Sequence, residues 1–160
     1  MIMSAEEVFE MAAQIERNGR DFYRKASSIA VKPEIKAMLE KFAQMEEKHE
    51  QTFLEMKALF VGETESLVPD TDSQIVSYIR AMAEGQIFNT DTPAELINNE
   101  TSIEEILSIA LKIEKDSVVY YTSIKKMLKT ENEKNKIELL INEELGHIAV
   151  LSREIVAIKR

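Results

Sequence analysis

The sequence repeats itself at a constant spacing of 98 residues, with no gap between the two copies. Scattered Glu and Ala matches could arise by chance between helical segments, but matched histidines could not easily do so. The chain has only 2 His, and each follows a Glu by three residues and another Glu by 33. The chain is therefore predicted to consist of two similar halves. The identical pairs are Ser4/Ser102, Glu6/Glu104, Glu7/Glu105, Ala12/Ala110, Ile15/Ile113, Glu16/Glu114, Tyr23/Tyr121, Glu40/Glu138, Glu46/Glu144 and His49/His147.

Each half has the hydrophobic spacing of two amphipathic helices. Ser4 with Glu7, and Ser102 with Glu105, form the capping boxes that begin helices. Proline suits the first turn of a helix and glycine its end, which sets the limits of the second helix. The four predicted helices run from Ser4 to about Ile29, from Pro33 past Phe60 until Gly62 stops the helix, from Ser102 past Ile124, and from after Thr130-Glu131-Asn132 past Ile155.

The connection between the second and third helices, residues 62–101, is long enough to run the length of a bundle. It is predicted to contain a short helix, Ser73 to Ala83, and to end in the polar stretch Asn89 to Asn99. A crossover of this length makes the second and third helices parallel. We therefore expect an all-α four-helix bundle, one domain over residues 1–160, made of hairpins 4–61 and 102–159.

Composition excludes several classes of function. Hydrophobic residues make up 44% and charged residues 31%, as in globular proteins. With no Cys, the chain has no thiolate zinc site, iron–sulfur cluster or nucleophilic thiol. A net charge of −9 disfavours nucleic acid and anionic membranes as partners. No apolar run approaches the roughly 20 residues of a membrane span, so a cytoplasmic location is expected.

The repeated Glu and His residues are predicted to meet at one level of the bundle. A Glu and a His three residues apart project from one face of a helix. Each hairpin turn lies about midway between two of the Glu residues, about 22 Å from both, so these face each other. The side chains brought together are Glu16, Glu46, His49, Glu114, Glu144 and His147.

A pair of divalent metal ions would explain this set of residues. Four carboxylates in a bundle interior would each cost several kcal/mol if ionised and unpaired. Oxygen-rich ligand sets with one imidazole per ion suit iron or manganese better than copper or zinc. The neighbouring Glu47, Glu50 and Glu143 lie off the interior stripe and are expected to be solvated.

The strings AAQIERNGRDFY, MEEKHEQTF, ALKIEKDSVVYY and NEELGHIAVL resemble the four metal-bearing helices of the rubrerythrin family, within the ferritin-like superfamily. The resemblance implies two iron ions per chain, or manganese in their place, that react with peroxide or dioxygen. It also implies that Glu46 and Glu144 bridge the ions. Terminal ligands would be Glu16, Glu114, His49 and His147.

This sequence departs from the family pattern in two ways. Full-length rubrerythrins carry a rubredoxin-like iron site held by four cysteines, so electrons here would come from a separate donor such as a rubredoxin. Rubrerythrins also carry an extra Glu, to which one iron moves on oxidation, where this chain has Leu111. The family further implies a homodimer.

Other residues on the interior stripe have two interpretations each. Tyr23 and Tyr121, seven residues after a ligand Glu, could hydrogen-bond ligand carboxylates and assist catalysis, or could be core aromatics. Gly19 and Ser117 could leave room for a metal-bound oxygen species or allow close helix packing. The Met residues are expected to fill the core.

Three functions remain open on the sequence: an oxidoreductase that reduces peroxide or dioxygen at a di-iron centre, a ferroxidase or iron-handling protein like the ferritins, and a non-catalytic bundle with structural metals. Nothing in the sequence specifies the assembly of a cage, which weakens the second.

Overall fold

The computed structural model describes residues 4–62, 74–84 and 92–160. Within these ranges the chain is helical and contains no strand, as the hydrophobic spacing predicted. The elements are α1 (Ala5–Ile29), α2 (Pro33–Leu59), α3 (Gln74–Ala83), a 3₁₀ turn (Pro93–Leu96), α4 (Ile103–Met127) and α5 (Glu131–Ile158).

The helix ends follow local chemistry. Ser4 and Ser102 form the predicted capping boxes, and Thr130 forms a third at the start of α5. Pro33 opens α2, where its missing N–H costs nothing. Gly62 was predicted to stop α2, and the helix ends just before it, with Leu59 as the last helical residue and Phe60 as the cap. Gly62 then adopts a φ of +81°, which glycine tolerates without steric cost.

Two apolar clusters fill the interior, one at each end of the bundle. The first cluster contains residues from the start of α1, the end of α2, the end of α4 and the start of α5, among them Phe9, Phe53, Tyr121 and Ile137. The second cluster contains residues from the end of α1 and the starts of α2 and α4, together with Leu151 of α5. Its larger members include Phe22, Leu39 and Leu107. Burial of these side chains stabilises the bundle.

Membership of the two clusters gives the direction of each helix. The end of α2 lies in the first cluster, whereas the start of α4 lies in the second, so the connection between them spans the bundle. Both α2 and α4 run from the second cluster towards the first and are therefore parallel, as predicted. Both α1 and α5 run the other way.

The described parts of the crossover follow this path. Ile79 and Met82 of α3 pack in the first cluster, and Ile97, just after the 3₁₀ turn, is buried in the second. The predicted short helix is present from Gln74, and Ser73 lies outside the described residues. Of the stretch predicted to be polar, residues 89–91 lie outside them too, while Pro93–Leu96 forms the 3₁₀ turn and Ile97 is a core residue. Among the described helices, none combines the length and the apolar character that crossing a membrane requires.

Candidate metal centre

The six predicted metal-ligating side chains lie together between the two apolar clusters. On every long helix the cluster residues flank a short interval that holds one or two of them, as Ala13 and Phe22 flank Glu16. None of the six is more than 3% exposed. They are Glu16 of α1, Glu46 and His49 of α2, Glu114 of α4, and Glu144 and His147 of α5.

The six side chains form two overlapping groups of four. In each group one ligand atom per residue lies within 4.8 Å of the others, a spacing that can hold a metal ion. The group that we call the His49 position consists of Glu16, Glu46, His49 and Glu144. The His147 position consists of Glu46, Glu114, Glu144 and His147. Glu46 and Glu144 belong to both groups, and this sharing suits two ions held side by side.

Both imidazoles present the same nitrogen, Nδ1, to the carboxylates of the other candidate ligands. His49 Nδ1 lies 2.9 Å from Glu144 Oε1 and 3.5 Å from Glu16 Oε2. His147 Nδ1 lies 3.0 Å from Glu144 Oε2 and 3.2 Å from Glu114 Oε1. The two rings are nearly parallel, with centroids 6.1 Å apart. Each Nδ1 can therefore serve as a ligand while Nε2 points away and carries the proton.

Buried polar atoms without hydrogen-bond partners show that this centre fits a cation. Among the described residues, six buried side-chain atoms have no hydrogen-bond partner, and all belong to the candidate ligands. Unpaired buried polar atoms are costly and rare in native structures, whereas metal ions satisfy carboxylate oxygens and imidazole nitrogens directly. The atoms are Glu16 Oε2, Glu46 Oε1, His49 Nδ1, Glu114 Oε2, Glu144 Oε1 and Glu144 Oε2.

Burial and mutual repulsion make the metal-free centre retain protons. Burial first, then the neighbouring carboxylates, raises the pKa of Glu46 well above its usual value and that of Glu114 to about 8. Burial alone would lower the pKa of a histidine, but contact with the carboxylates outweighs it here. The pKa of His49 is thereby raised to about 11 and that of His147 to about 9. A metal ion that bound here would have to displace these protons.

The two tyrosines predicted beside the site do contact carboxylates of the candidate ligands. The Tyr23 hydroxyl donates a hydrogen bond to Glu114 Oε1, and the Tyr121 hydroxyl donates one to Glu16 Oε1. Each contact joins one half of the chain to the other. Burial and the nearby carboxylates raise the pKa of both phenols well above the usual value, so both remain protonated donors.

Gly19 and Ser117 occupy equivalent positions of the repeat but play different parts. A Cβ atom at Gly19 would lie 2.8 Å from Glu46 Oε2, so the missing side chain makes room for that carboxylate. Ser117 is buried and its hydroxyl donates to the Ile113 carbonyl oxygen of the preceding turn. The space at Gly19 is therefore already used by a candidate ligand.

Of the three Glu residues expected to be solvated, Glu47 and Glu143 are exposed and Glu50 is not. Glu47 has a 57% exposed side chain, close to Arg24. The prediction for Glu50 was wrong, because its 13% exposed carboxylate pairs with Arg17 and Arg20 at 2.7 and 2.8 Å. Helical spacing gives a residue's direction but not which cations a neighbouring helix supplies.

Two contacts at the outer side of the histidines were not predicted. Glu143 is exposed as expected, yet its carboxylate reaches His49 Nε2. Met45, on the stripe expected to fill the core, places Sδ 3.3 Å from His147 Nε2. The constant offset of 98 residues was the signal that could have pointed to both contacts. It makes positions 45 and 143 equivalent, and each directly precedes a candidate ligand Glu.

Comparison with known proteins supports this description of the fold. Two solved structures resemble the chain, each at 20% sequence identity. A Thermotoga maritima protein described as a ferritin-like diiron-carboxylate protein has a TM-score of 0.68, with 96% of this chain and 95% of that chain covered. A hypothetical protein from Pyrococcus furiosus has a TM-score of 0.71, with 96% and 89% covered. No curated protein sequence matches the chain significantly.

The family comparison covers more than half of the chain. The model of the rubrerythrin family matches residues 7–102, which include nearly all of α1, all of α2 and the crossover. The second hairpin, beyond that match, repeats the same Glu and His residues at the constant offset. The fold is also similar to that of the ferritin-like structure from Thermotoga maritima. This chain therefore belongs to the rubrerythrin family.

Proposed function

We propose that this protein is a di-iron oxidoreductase that reduces peroxide or dioxygen with electrons from a separate donor protein. The observation that carries the proposal is the pair of buried groups, each with one His and three Glu, that share two carboxylates. Iron accepts this mixture of carboxylate oxygen and imidazole nitrogen.

Two iron ions would be held by the six residues between the apolar clusters. Glu46 and Glu144 would bridge them, and the other Glu and the His of each position would be terminal ligands. Bound iron would supply one-electron redox chemistry at each ion, and a pair matches the two electrons that reduce a peroxide O–O bond. Six-coordinate ions need about twelve donor atoms, more than six such residues provide, so exchangeable positions would remain.

The protein's own residues would hold the carboxylates in place during turnover. Tyr23 and Tyr121 donate to one oxygen of Glu114 and Glu16, which restrains both terminal carboxylates from opposite halves. Leu111 offers no carboxylate and is packed against the second apolar cluster. We therefore expect His49 and His147 to keep their ions in both the ferrous and the ferric state.

The test combines metal analysis with rapid oxidation. Protein purified without chelator and loaded with ferrous iron is expected to hold two ions per chain by elemental analysis. Anaerobic mixing with peroxide should produce a fast absorbance change, and turnover should require an added donor such as a rubredoxin. Glu16→Ala should oxidise at least about tenfold more slowly, as loss of one ligand disturbs the metal.

The exposed Glu47 provides the matched control. Glu47→Ala removes a carboxylate one residue away from Glu46 and leaves the six candidate ligands intact. Equal oxidation rates for wild type and Glu16→Ala would overturn the enzymatic proposal and favour structural metals. Fast oxidation that deposits many ions per chain would favour the ferroxidase alternative. The homodimer and the cytoplasmic location stay predictions.

A further inference from the structure

The outer nitrogens of the two candidate ligand histidines contact chemically different groups. His49 Nε2 is hydrogen-bonded to the Glu143 carboxylate, across from α2 to α5. His147 Nε2 lies 3.3 Å from the Met45 thioether, across from α5 to α2. Residues 45 and 143 are equivalent in the repeat, and each directly precedes a shared ligand Glu. The two halves thus have matched ligands but unmatched outer partners.

A carboxylate and a thioether act differently on a metal-binding imidazole. A carboxylate that accepts the Nε2–H bond fixes the tautomer that leaves Nδ1 free for the metal, and it makes Nδ1 a stronger donor. A thioether sulfur is only a weak hydrogen-bond acceptor. Loss of such an outer partner typically lowers metal affinity by about 10–100-fold. The difference between Met45 and its equivalent Glu143 is therefore large enough to give two otherwise similar metal positions different metal affinities.

The aromatic surroundings add to this difference. The Phe42 ring stacks on the His147 ring with centroids 4.2 Å apart, and the equivalent position in the other half is Leu140. His147 is thus enclosed by an aromatic ring and a thioether. The carboxylate that contacts His49 has a 51% exposed side chain, so that ring is linked to the protein surface by a charged group.

Two arginines near the His49 position would lower its affinity for a cation, but nearby carboxylates offset their positive charge. Arg17 and Arg20 follow Glu16 on α1 and would disfavour a cation there by Coulomb repulsion. Both pair with Glu50, and Arg17 also lies 3.6 Å from Glu10, while Arg20 lies 3.0 Å from Asp21. Glu10 also pairs with Lys57 at 2.7 Å, so three carboxylates face three cations and these surface residues carry no excess positive charge.

We infer that the two metal positions are unequal and that Glu143 makes the His49 position the tighter one. This inference rests on the di-iron function proposed above and adds an order of filling, in which the His49 position is occupied before the His147 position. Glu143 acts as a positioning residue, because it contacts His49 and not the metal. Met45 leaves the His147 position weaker and therefore more easily vacated.

The test is a titration of the metal-free protein with cobalt(II), followed by calorimetry and by visible absorbance. Wild type should bind two ions in two steps, with dissociation constants that differ by about 10–100-fold. His147→Ala should remove the weaker step and keep the tighter one. A single step for two ions, or loss of the tighter step in His147→Ala, would overturn the inference and leave the proposed function standing.

Matched variants at the two equivalent positions test the role of Glu143. Glu143→Leu should weaken the tighter step by about 10–100-fold, whereas Met45→Leu should change neither step by more than about twofold. Glu143→Gln keeps an acceptor oxygen and should bind between wild type and Glu143→Leu. Melting of the metal-free variants checks that each is folded, and an effect on folding alone would not move the cobalt absorbance bands.

Other results of this titration are equally decisive. Similar losses in Glu143→Leu and Met45→Leu, or a Glu143→Gln variant that binds no better than Glu143→Leu, would overturn the inference. Wild-type protein that binds no cobalt and no iron would instead refute the proposed function itself.

Discussion

At the scale of single residues, the centre depends on contacts that cross between the two halves. Tyr23 of the first half donates to Glu114 of the second, and Tyr121 of the second half donates to Glu16 of the first. The repeat predicts that such contacts occur as a pair, because equivalent residues occupy equivalent positions. A phenol with a raised pKa keeps its proton across the physiological range, so both tyrosines remain hydrogen-bond donors.

Removing either phenol hydroxyl should weaken both the fold and the metal centre. Tyr23→Phe is expected to lower the free energy of unfolding by about 1–3 kcal/mol, since a buried carboxylate loses its donor. Metal affinity should also fall, because Glu114 is no longer held in place. Tyr120→Phe is the control, because its hydroxyl bonds the Val8 carbonyl oxygen away from the centre, and the repeat already has Phe22 at that position. It should lose stability without losing metal affinity, as measured by chemical denaturation and metal titration.

A methyl group at Gly19 should change metal affinity more than helix stability. Alanine is favoured over glycine inside a helix by about 1 kcal/mol. Gly146→Ala should show this gain, because its Cβ would meet nothing within 4 Å. Gly19→Ala should gain less stability than Gly146→Ala. It should also bind metal at least about tenfold more weakly, because its Cβ displaces the Glu46 carboxylate. Equal metal affinity in the two variants would contradict this explanation.

At the scale of helices, local sequence signals and the observed elements agree where capping and periodicity act alone. Ser4, Ser102 and Pro33 mark three helix starts in both the sequence and the structure. Because periodicity sets the buried face, the six residues of the centre could be named from spacing. The crossover was less predictable, since Ile97 is buried by partners far away in the chain rather than by a local pattern.

Contacts between helices also explain what spacing could not predict at the site. Glu143 projects from the solvent face of α5, and only the position of α2 brings its carboxylate to His49. Glu50 is drawn into an ion pair by two arginines of α1 in the same way. A helical repeat gives the angle of a side chain about its own axis, but the reach of a long side chain depends on the neighbouring helix.

The capping box at the start of α4 should contribute measurably to stability. Ser102 accepts a hydrogen bond from the Glu105 backbone N–H, and the Glu105 side chain accepts one from the Ser102 backbone N–H. Ser102→Ala should lower the free energy of unfolding by about 1 kcal/mol. Ser108→Ala, at an exposed position inside the same helix, should cost nothing, because alanine is the better helix former. Thermal melting of both variants separates capping from propensity.

At the scale of the whole molecule, the fold encloses a charged centre between two apolar clusters. Each cluster draws residues from α1, α2, α4 and α5, so the bundle is held together on both sides of the candidate ligands. This arrangement lets buried carboxylates persist at a place where they oppose folding unless protons or cations neutralise them. We therefore expect the stability of the protein to depend on pH and on bound metal.

Metal-free protein should lose stability as pH rises from about 5 to 9. The pKa values of Glu46, Glu114, His49 and His147 are all raised by the fold, so the folded state binds more protons than the unfolded state over this range. The free energy of unfolding then falls with increasing pH, from the usual Glu pKa upward and through about 8 and 9. With only 2 His and no Cys, the chain has no other side chain with an ordinary pKa inside this window.

Metal-loaded protein should show the opposite dependence on pH, because a cation binds the deprotonated ligands and gains affinity as protons leave.

The melting temperature of the metal-free form should drop by at least about 2–4 °C between pH 5 and pH 9, the equivalent of about 1 kcal/mol for a chain of this size. Glu46→Gln, which cannot ionise, should reduce this drop. Calorimetric melting of both forms at several pH values makes the comparison. A metal-free melting temperature that stays constant or rises over this range would show that the four raised pKa values do not govern stability.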